Sequence, residues 1–331
     1  MLVLLFHVFW YTWGMFSMTC QSQSVPQMYA FGDSIIYTGP SGSHATGMKT
    51  GYMPYGLECM FMDNFRFTNG KTIPEYIATA LNVSDPLSMD ERFNTEQLGI
   101  NYASPSSGIL PETGTALGVN YCMEKQVNFF NETVETKLRA KFSPTDKLSK
   151  YLSASVYLIN IGTSDYIHNY LQPHHYNSSR QHNGEDFAEL LSKKLENNLK
   201  DLYNIGARKM IVFQIGPLGC YPYIINKLKP RSRCAEDINK LVSNFNDKLN
   251  VMLKELSEKL DGASFVTVKT FDLIKSLILN PADYEFAETR WPCCVTQANG
   301  TGLCDRGPKY FGSDVPMPRL SNQMLFEKQY M

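Results

Sequence analysis

The chain has no excess of charge of either sign, which argues against one broad class of function. It carries 31 Lys and Arg residues against 32 Asp and Glu, a formal net charge of −1 over 331 residues. Proteins that bind nucleic acid usually present a basic surface to the phosphates. The charge balance therefore predicts no nucleic-acid partner, and a hydrophobic content of 43% predicts a large buried core.

The sequence also lacks the patterns that hold metal ions. No two of its eight cysteines are spaced as Cys-x-x-Cys, and its six histidines lie elsewhere in the chain. Structural zinc sites are normally built from closely spaced pairs of this kind, so zinc is the weaker interpretation of the cysteines. We expect no metal and no cofactor.

Disulfide bonds are the stronger interpretation of the cysteines. Seven cysteines lie beyond residue 22. In an oxidising compartment Cys220 and Cys234 would close a short loop, and so would Cys304 with either Cys293 or Cys294. An odd number of cysteines leaves at least one thiol unpaired.

The sequence contains one long hydrophobic run, at its amino-terminal end, and lacks a second. Residues 1–18 are almost wholly apolar and contain no Lys or Arg, and small and polar residues follow them. We interpret residues 1–22 as a secretory signal peptide that is cleaved between about residues 19 and 24; a membrane anchor is the alternative. No later segment is apolar enough to span a bilayer. No linker divides the rest, so we expect residues 23–331 to form a single secreted domain.

Four Asn-x-Ser/Thr sequons agree with a secretory route. They begin at Asn82, Asn131, Asn177 and Asn299. Such tripeptides accept N-linked glycans when the chain passes through the secretory pathway. We therefore expect a secreted glycoprotein.

Short apolar runs alternate with long amphipathic patterns. The predicted strands are 28–31, 155–161, 209–215 and 264–268, and the predicted helices are 185–203 and 235–260. The strand runs are nearly continuous in apolar residues, as expected for parallel strands that are covered on both faces. This alternation predicts an α/β fold with a parallel sheet between helices.

Ser34 lies on a bend of small residues that follows the first predicted strand, and Gly162–Asp165 follows the second. Ligands of open parallel sheets bind beyond the carboxyl ends of the strands. The two segments are therefore candidates for a site. Asp33 and Asp165 beside these bends are expected to accept backbone N–H bonds.

Ordered motifs around these segments give the chain a family resemblance. The motifs are Phe31–Ser34, Asn101–Ser104, Ile161–Tyr166 and Gly216–Cys220, with further matching segments at 52–56, 67–72, 202–209 and 292–294. In this order and spacing the chain resembles the plant GDSL esterase/lipase family, the SGNH-type serine hydrolases. The resemblance implies a three-layer α/β/α fold with a flavodoxin-like parallel sheet, and the hydrolysis of carboxylic esters, lipids among them.

The resemblance also assigns roles to three serines. Ser34 matches the nucleophile, and its backbone N–H would be the first oxyanion-hole donor. Ser106 stands where the family has a Gly whose N–H is the second donor. Ser164 stands where the family has an Asn whose side-chain amide is the third donor, and a hydroxyl is shorter than that amide and can turn to its own backbone.

The base of the family's catalytic triad is missing. The family ends in an Asp-x-x-His motif; here Asp314 matches the orienting carboxylate, and Met317 stands in the place of the His. A thioether does not act as a general base. We expect a truncated or divergent carboxyl-terminal end. His168 and His44 are candidate substitutes, although the alternative is a structural role for both.

Two functions remain open at this stage. The first is a secreted serine ester hydrolase that acts on small or lipid-like esters through Ser34, with weak or lost activity. The loss of a triad residue costs roughly 10⁴–10⁶ in turnover. The second is an inactive relative whose cleft or surface binds a lipid-like ligand or a protein partner.

Overall fold

The computed structural model describes residues 25–39, 67–68, 70–89, 98–286 and 289. The strands in these ranges are β1 (Met28–Gly32), β2 (Leu87–Ser88), β3 (Ile100–Asn101), β4 (Val156–Asn160), β5 (Lys209–Phe213) and β6 (Ser264–Val268). The α-helices are α1 (Ile73–Leu81), α2 (Met123–Thr133), α3 (Arg139–Lys141), α4 (Thr145–Ala154), α5 (Thr163–Asp165), α6 (Ser178–Gln181), α7 (Gly184–Ile205), α8 (Pro222–Leu228), α9 (Glu236–Lys259) and α10 (Thr270–Leu279).

The six described strands form one parallel sheet in the order β2-β3-β1-β4-β5-β6. The strand β1 is central, with β3 on one side and β4 on the other. The chain builds the sheet outward from β1 in both directions, which is the arrangement that creates a ligand crevice at the carboxyl ends of the strands.

Helices cover both faces of the sheet. Successive side chains of a strand point to opposite faces. Tyr29 and Phe31 belong to the larger core cluster, which includes buried residues of α2, α7 and α9, whereas Met28 and Ala30 pack in a smaller cluster with Ala78 of α1. The sheet is thus the middle of three layers, and the predicted α/β/α fold is confirmed.

The two predicted long helices are present, and local signals explain their limits. The side chain of Asn183 accepts bonds from the N–H groups of Glu185 and Asp186 and caps the start of α7. Gly206, with a φ of 133°, ends that helix. The apolar residues of α9 recur at three and four positions and are buried along one face, as the sequence pattern predicts.

The sheet departs from the prediction at both edges. The strands β2 and β3 have two residues each and were not predicted. The expectation that 264–268 is covered on both faces is wrong among the described residues: β6 is an edge strand, and the side chain of Val266 is 54% exposed. A strand with one neighbour leaves more of its surface uncovered than a central strand does.

The structure confirms one predicted disulfide. Cys220 and Cys234 are bonded. Cys122 is buried and carries a free thiol within the described ranges. The predicted bond from Cys304 to Cys293 or Cys294 lies outside the described residues, as does the predicted signal peptide. Of the helices that the structure describes, none is both long and apolar enough to cross a bilayer.

Candidate active site

Three segments that carry predicted site residues follow three neighbouring strands. Ser34 lies two residues beyond β1, Ser106 lies in the loop after β3, and Ser164 lies in α5 just beyond β4. Parallel strands end at the same edge of a sheet, so the three serines share one edge, with the strand of Ser34 in the middle.

Two glycines allow these segments to approach one another. A Cβ on Gly32 would overlap the carbonyl oxygen of Asn160 at the end of β4. Gly162 has a φ of 116°, a conformation that residues with a side chain rarely adopt. A side chain at either position would displace the turns that carry Ser34 and Ser164.

The buried side chain of Gln126 on α2 fixes the end of β1. Its Oε1 accepts a hydrogen bond from the N–H of Gly32 at 2.8 Å, and its Nε2 donates to the carbonyl oxygen of Gly32 at 2.8 Å. The same Nε2 lies 2.7 Å from the carbonyl oxygen of Tyr121 and 3.2 Å from the Oγ of Ser107. One side-chain amide therefore bonds both backbone polar groups of the residue that precedes the Asp33–Ser34 turn.

We expect Gln126→Leu to lower the free energy of unfolding by about 2–4 kcal/mol, because it removes the acceptor of a buried backbone N–H together with several donated bonds, at roughly 1–3 kcal/mol for each buried group left unsatisfied. Denaturant titration measures the change. Lys125→Leu, at the exposed neighbouring position of α2, is the control and should change stability by less than about 0.5 kcal/mol. Equal losses in both variants would contradict the role assigned to the Gln126 amide.

Two backbone N–H groups are available as oxyanion donors. Among the described residues, those of Ser34 and Ser106 donate to no acceptor. Ser106 has a φ of 59°, a left-handed conformation that Gly adopts without cost and other residues adopt at about 1–2 kcal/mol. The backbone at Ser106 therefore keeps a conformation suited to the Gly that the resemblance implies there, while its Oγ donates to the carbonyl oxygen of Pro105 at 2.6 Å.

The hydroxyl of Ser164 is also uncommitted. Ser164 is only 2% exposed, and within the described part of the chain its Oγ makes no hydrogen bond, either to its own backbone or to another residue. A hydroxyl at this place can donate to a developing oxyanion, but it reaches less far than the amide of an Asn.

Asp33 is a buried carboxylic acid beside the nucleophile. Its Oδ1 accepts a bond from the N–H of Ile35 at 3.0 Å, as predicted for a carboxylate at a bend, whereas its Oδ2 is buried and makes no hydrogen bond to any described residue. The pKa of Asp33 is raised to about 7: burial is the largest cause and the negative charge of Asp165 adds to the rise, while the backbone N–H groups of Ile35, Ser164 and Thr163 oppose it.

Asp165 organises the loop that contains Ser106. Its carboxylate accepts bonds from the N–H groups of Ile109 and Leu110 at 2.7 and 3.1 Å and from the hydroxyl of Thr113 at 2.7 Å. Burial raises the pKa of Asp165 to about 6, and these three donors oppose the rise. The predicted structural role of this residue is confirmed.

His168 lies in a π-helical turn, Tyr166–Tyr170, and is buried. Burial lowers the pKa of its imidazole to about 4, and the positive charge of Lys227 acts in the same direction. Among the described residues no carboxylate bonds its ring. A general base of the serine hydrolase type is normally oriented by a carboxylate, so the geometry gives His168 little support as a substitute base.

Of the remaining predicted site residues, only three sequon residues belong to the described part of the chain. His44, Asp314, Met317 and the sequon residue Asn299 lie outside the described residues. Asn82, Asn131 and Asn177 lie on the surface with exposed side chains.

Sequence reasoning missed two positioning side chains. Gln126 is one; the other is Asn101, whose Nδ2 donates to the carbonyl oxygen of Ile36 at 2.6 Å and to the Oγ1 of Thr38 at 3.0 Å, tying the segment after Ser34 to β3. The signal for Gln126 was a polar residue within the apolar face of α2, a position that usually marks a buried hydrogen-bonding side chain.

Comparisons with known proteins agree with this geometry. Residues 28–306 match the family described as GDSL-like Lipase/Acylhydrolase. GDSL esterase/lipase 7 of Arabidopsis thaliana is 38% identical over 286 residues, which cover 84% of this chain and 78% of the relative. Two further Arabidopsis thaliana proteins, GDSL esterase/lipase At2g19060 and GDSL esterase/lipase At1g33811, are 36% and 33% identical, each covering 86% of this chain and 79% of the relative. The chain therefore belongs to the GDSL esterase/lipase family of carboxylic ester hydrolases.

Proposed function

We propose that this protein is a secreted serine ester hydrolase of reduced activity, with Ser34 as the nucleophile. The observation that carries the proposal is the placement of Ser34 at the end of the central strand, between two neighbouring strand ends that supply free donors. The N–H groups of Ser34 and Ser106 and the hydroxyl of Ser164 form the oxyanion hole. The substrate is a small or lipid-like carboxylic ester, in keeping with the family.

In the proposed reaction Ser34 Oγ attacks the ester carbonyl, and the three donors stabilise the negative charge on the carbonyl oxygen. Each well-placed donor lowers the barrier by roughly 3–4 kcal/mol. Collapse of the intermediate releases the alcohol, and water then cleaves the acyl-enzyme. Both halves of the reaction need a proton acceptor for the attacking oxygen.

Reduced activity follows from the missing base. Met317 occupies the sequence position of the triad His, Asp314 has no imidazole to orient, and Ser164 replaces an amide donor. His168 and His44 are the remaining candidates for the base. In the absence of a base, positioning and oxyanion donors still give roughly 10³–10⁴ over the reaction in water.

The second candidate function is an inactive family member that binds a lipid-like ligand or a protein partner. It is favoured by the same two departures, Met317 and Ser164, since a working site rarely tolerates both. Such a protein keeps the fold and cleft of the family, without an activated Ser34.

A fluorophosphonate probe followed by mass spectrometry separates the two functions. We expect slow labelling of Ser34 and of no other serine, because even a weakly activated hydroxyl attacks phosphorus when oxyanion donors are in place. Ser34→Ala is the control and should abolish labelling. No labelling of a folded wild-type protein would remove the hydrolase proposal and leave the binding function.

Secretion and the single-domain organisation of residues 23–331 are part of the proposal. They are supported by the apolar residues 1–18, by the four sequons, and by the Cys220–Cys234 disulfide, since disulfides persist in oxidising compartments.

A further inference from the structure

A cavity of about 590 Å³ opens at the amino-terminal ends of the strands, opposite to the strand ends that carry Ser34. Its lining includes Leu152, Gly206 and Arg208, which come just before β4 and β5, so the cavity lies at the amino-terminal ends of these strands. The volume falls within the range of roughly 300–1,000 Å³ that small-molecule sites occupy. The family's chemistry takes place at the other edge and does not use this cavity.

The sequon residue Asn131 lines this cavity. It lies near the end of α2 with its side chain exposed, and its amide makes no hydrogen bond to any described residue. A glycan attached to Asn131 therefore starts at the wall of the cavity. The other two described sequon residues, Asn82 and Asn177, are exposed and are not among the residues that line it.

The lining has the chemistry that a sugar needs. Besides Asn131, five exposed polar side chains around the cavity make no hydrogen bonds within the described part of the chain, and these are Asn128, Thr145, Ser149, Asp201 and Asn204. The rest of the lining comprises nearly buried aliphatic side chains, among them Val127 and Leu148, and charged residues, among them the ion pair of Glu135 and Arg139. Free polar groups can bond sugar hydroxyl and acetamido groups, and the small accessible parts of the aliphatic side chains can contact the acetamido methyl group.

The third residue of the sequon has a separate structural role. The hydroxyl of Thr133 accepts a bond from the hydroxyl of Tyr102 at 2.8 Å and donates to the carbonyl oxygen of Phe129 at 3.0 Å. Substitution of Thr133 would disturb the core, so a test has to change Asn131 instead.

We propose that the first sugars of an N-linked glycan on Asn131 lie in this cavity and stabilise the fold. The occupant is the N-acetylglucosamine core of the glycan, held chiefly by hydrogen bonds from the five polar side chains. The inference rests on the proposed passage through the secretory pathway, and on neither Ser34 nor an ester substrate.

The test uses the full chain secreted from a eukaryotic host. Glycopeptide mass spectrometry should find Asn131 occupied. Under native conditions a glycosidase should release the Asn131 glycan at least about tenfold more slowly than glycans on Asn82 or Asn177, since sugars bound in the cavity are cleaved only after they leave it. Denaturation should make the rates equal. Asn128→Ala with Asn204→Ala should speed native release and leave occupancy unchanged.

Stability gives the second readout. Asn131→Gln should lower the Tm of the glycosylated protein by about 3 °C or more, a shift that corresponds to about 1 kcal/mol in a domain of this size. Asn82→Gln and Asn177→Gln are matched controls and should shift it by less than about 1 °C. In unglycosylated protein Asn131→Gln should have no effect, because the loss belongs to the glycan and not to the Asn side chain.

Three other results would overturn the proposed placement of the Asn131 glycan. An unoccupied Asn131 beside an occupied Asn82 or Asn177 overturns this inference and leaves secretion intact. An occupied Asn131 whose glycan is released as fast as the others, with no loss of Tm in Asn131→Gln, overturns it as well. A chain that remains inside the cell without glycans contradicts the secretory proposal itself, and the inference fails with it.

Discussion

Met317→His raises the turnover of a short p-nitrophenyl ester by about a hundredfold or more, and the double variant Met317→His with Ser164→Asn raises it by about ten-thousandfold. On the proposed correspondence of Met317 with the family's His, the first change supplies the imidazole that takes the proton of Ser34, a group whose loss costs roughly 10⁴–10⁶. The second restores an amide donor, which is worth roughly 10²–10³ in rate. A hundredfold from each change multiplies to the roughly ten-thousandfold expected of the double variant.

The structure explains why Ser164→Asn is the partner of choice. Ser164 is buried beside the end of β4, and its hydroxyl is not committed to any described acceptor, so no existing hydrogen bond is lost on substitution. Ser106 needs no change, because its backbone, with a φ of 59°, already has a left-handed conformation suited to the Gly that the family has there.

Initial rates of ester hydrolysis on folded, purified variants test this prediction. Ser34→Ala in the double variant should return the rate to background. Met324→His adds an imidazole seven positions along the chain and is the matched control, with no gain expected. If the double variant folds and is no faster than wild type, then Asp314 and Met317 do not correspond to the Asp-x-x-His positions of the family.

The centre of the fold could be predicted from sequence because its signals are strong and local. Runs such as 155–161 are short, nearly continuous in apolar residues and bounded by helical patterns, as expected for a covered parallel strand. The two-residue strands β2 and β3 give no such pattern. Their places depend on pairing with distant parts of the chain: β3 pairs with β1 through Ala30 and Asn101, and β2 pairs with β3.

Part of the site could be predicted for a similar reason. Ser34 and Ser164 follow predicted strands, and the parallel arrangement alone brings strand ends together. The bond from Gln126 to Gly32 joins residues 94 positions apart, and no local pattern specifies which buried group a polar side chain meets. Sequence indicated that Asp33 accepts a backbone N–H, but its unbonded Oδ2 and its burial depend on the three-dimensional packing of α5 and β1.

The burial of the Asp33 carboxyl group makes the stability of the protein depend on pH. The stability of Asp33→Asn relative to wild type should rise by about 4 kcal/mol between about pH 3 and pH 9, which is a difference of about three pKa units at 1.36 kcal/mol each. The pKa of Asp33 is about 7 in the folded protein against 3.8 for the ordinary carboxyl group. Denaturant titrations of both proteins at several pH values measure the difference.

The sign follows from proton binding. Below about pH 3.8 both the folded and the unfolded chain keep the proton, and the group costs nothing. Between pH 3.8 and about 7 the unfolded chain has released its proton and the folded chain has not, so the folded protein loses stability as the pH rises. Above about 7 both are ionised and the loss is complete. Asn has no proton to lose, so the variant does not incur this cost.

The slope of this difference is the informative quantity, because a poor fit of the Asn amide shifts the whole curve and leaves its slope unchanged. Asp247→Asn, exposed on α9, controls for the removal of one negative charge from the molecule. Parallel curves for Asp33→Asn and wild type would show that Asp33 titrates as an ordinary carboxyl. A slope confined to the window from about pH 4 to 7 also means that the carboxyl group of Asp33, beside the Ser34 turn, is largely neutral in mildly acidic solution. An oxyanion bound by Ser34, Ser106 and Ser164 then meets no negative charge from Asp33. Above pH 7 Asp33 is ionised in the wild type, so the rate of fluorophosphonate labelling of Ser34 should fall less in Asp33→Asn than in the wild type.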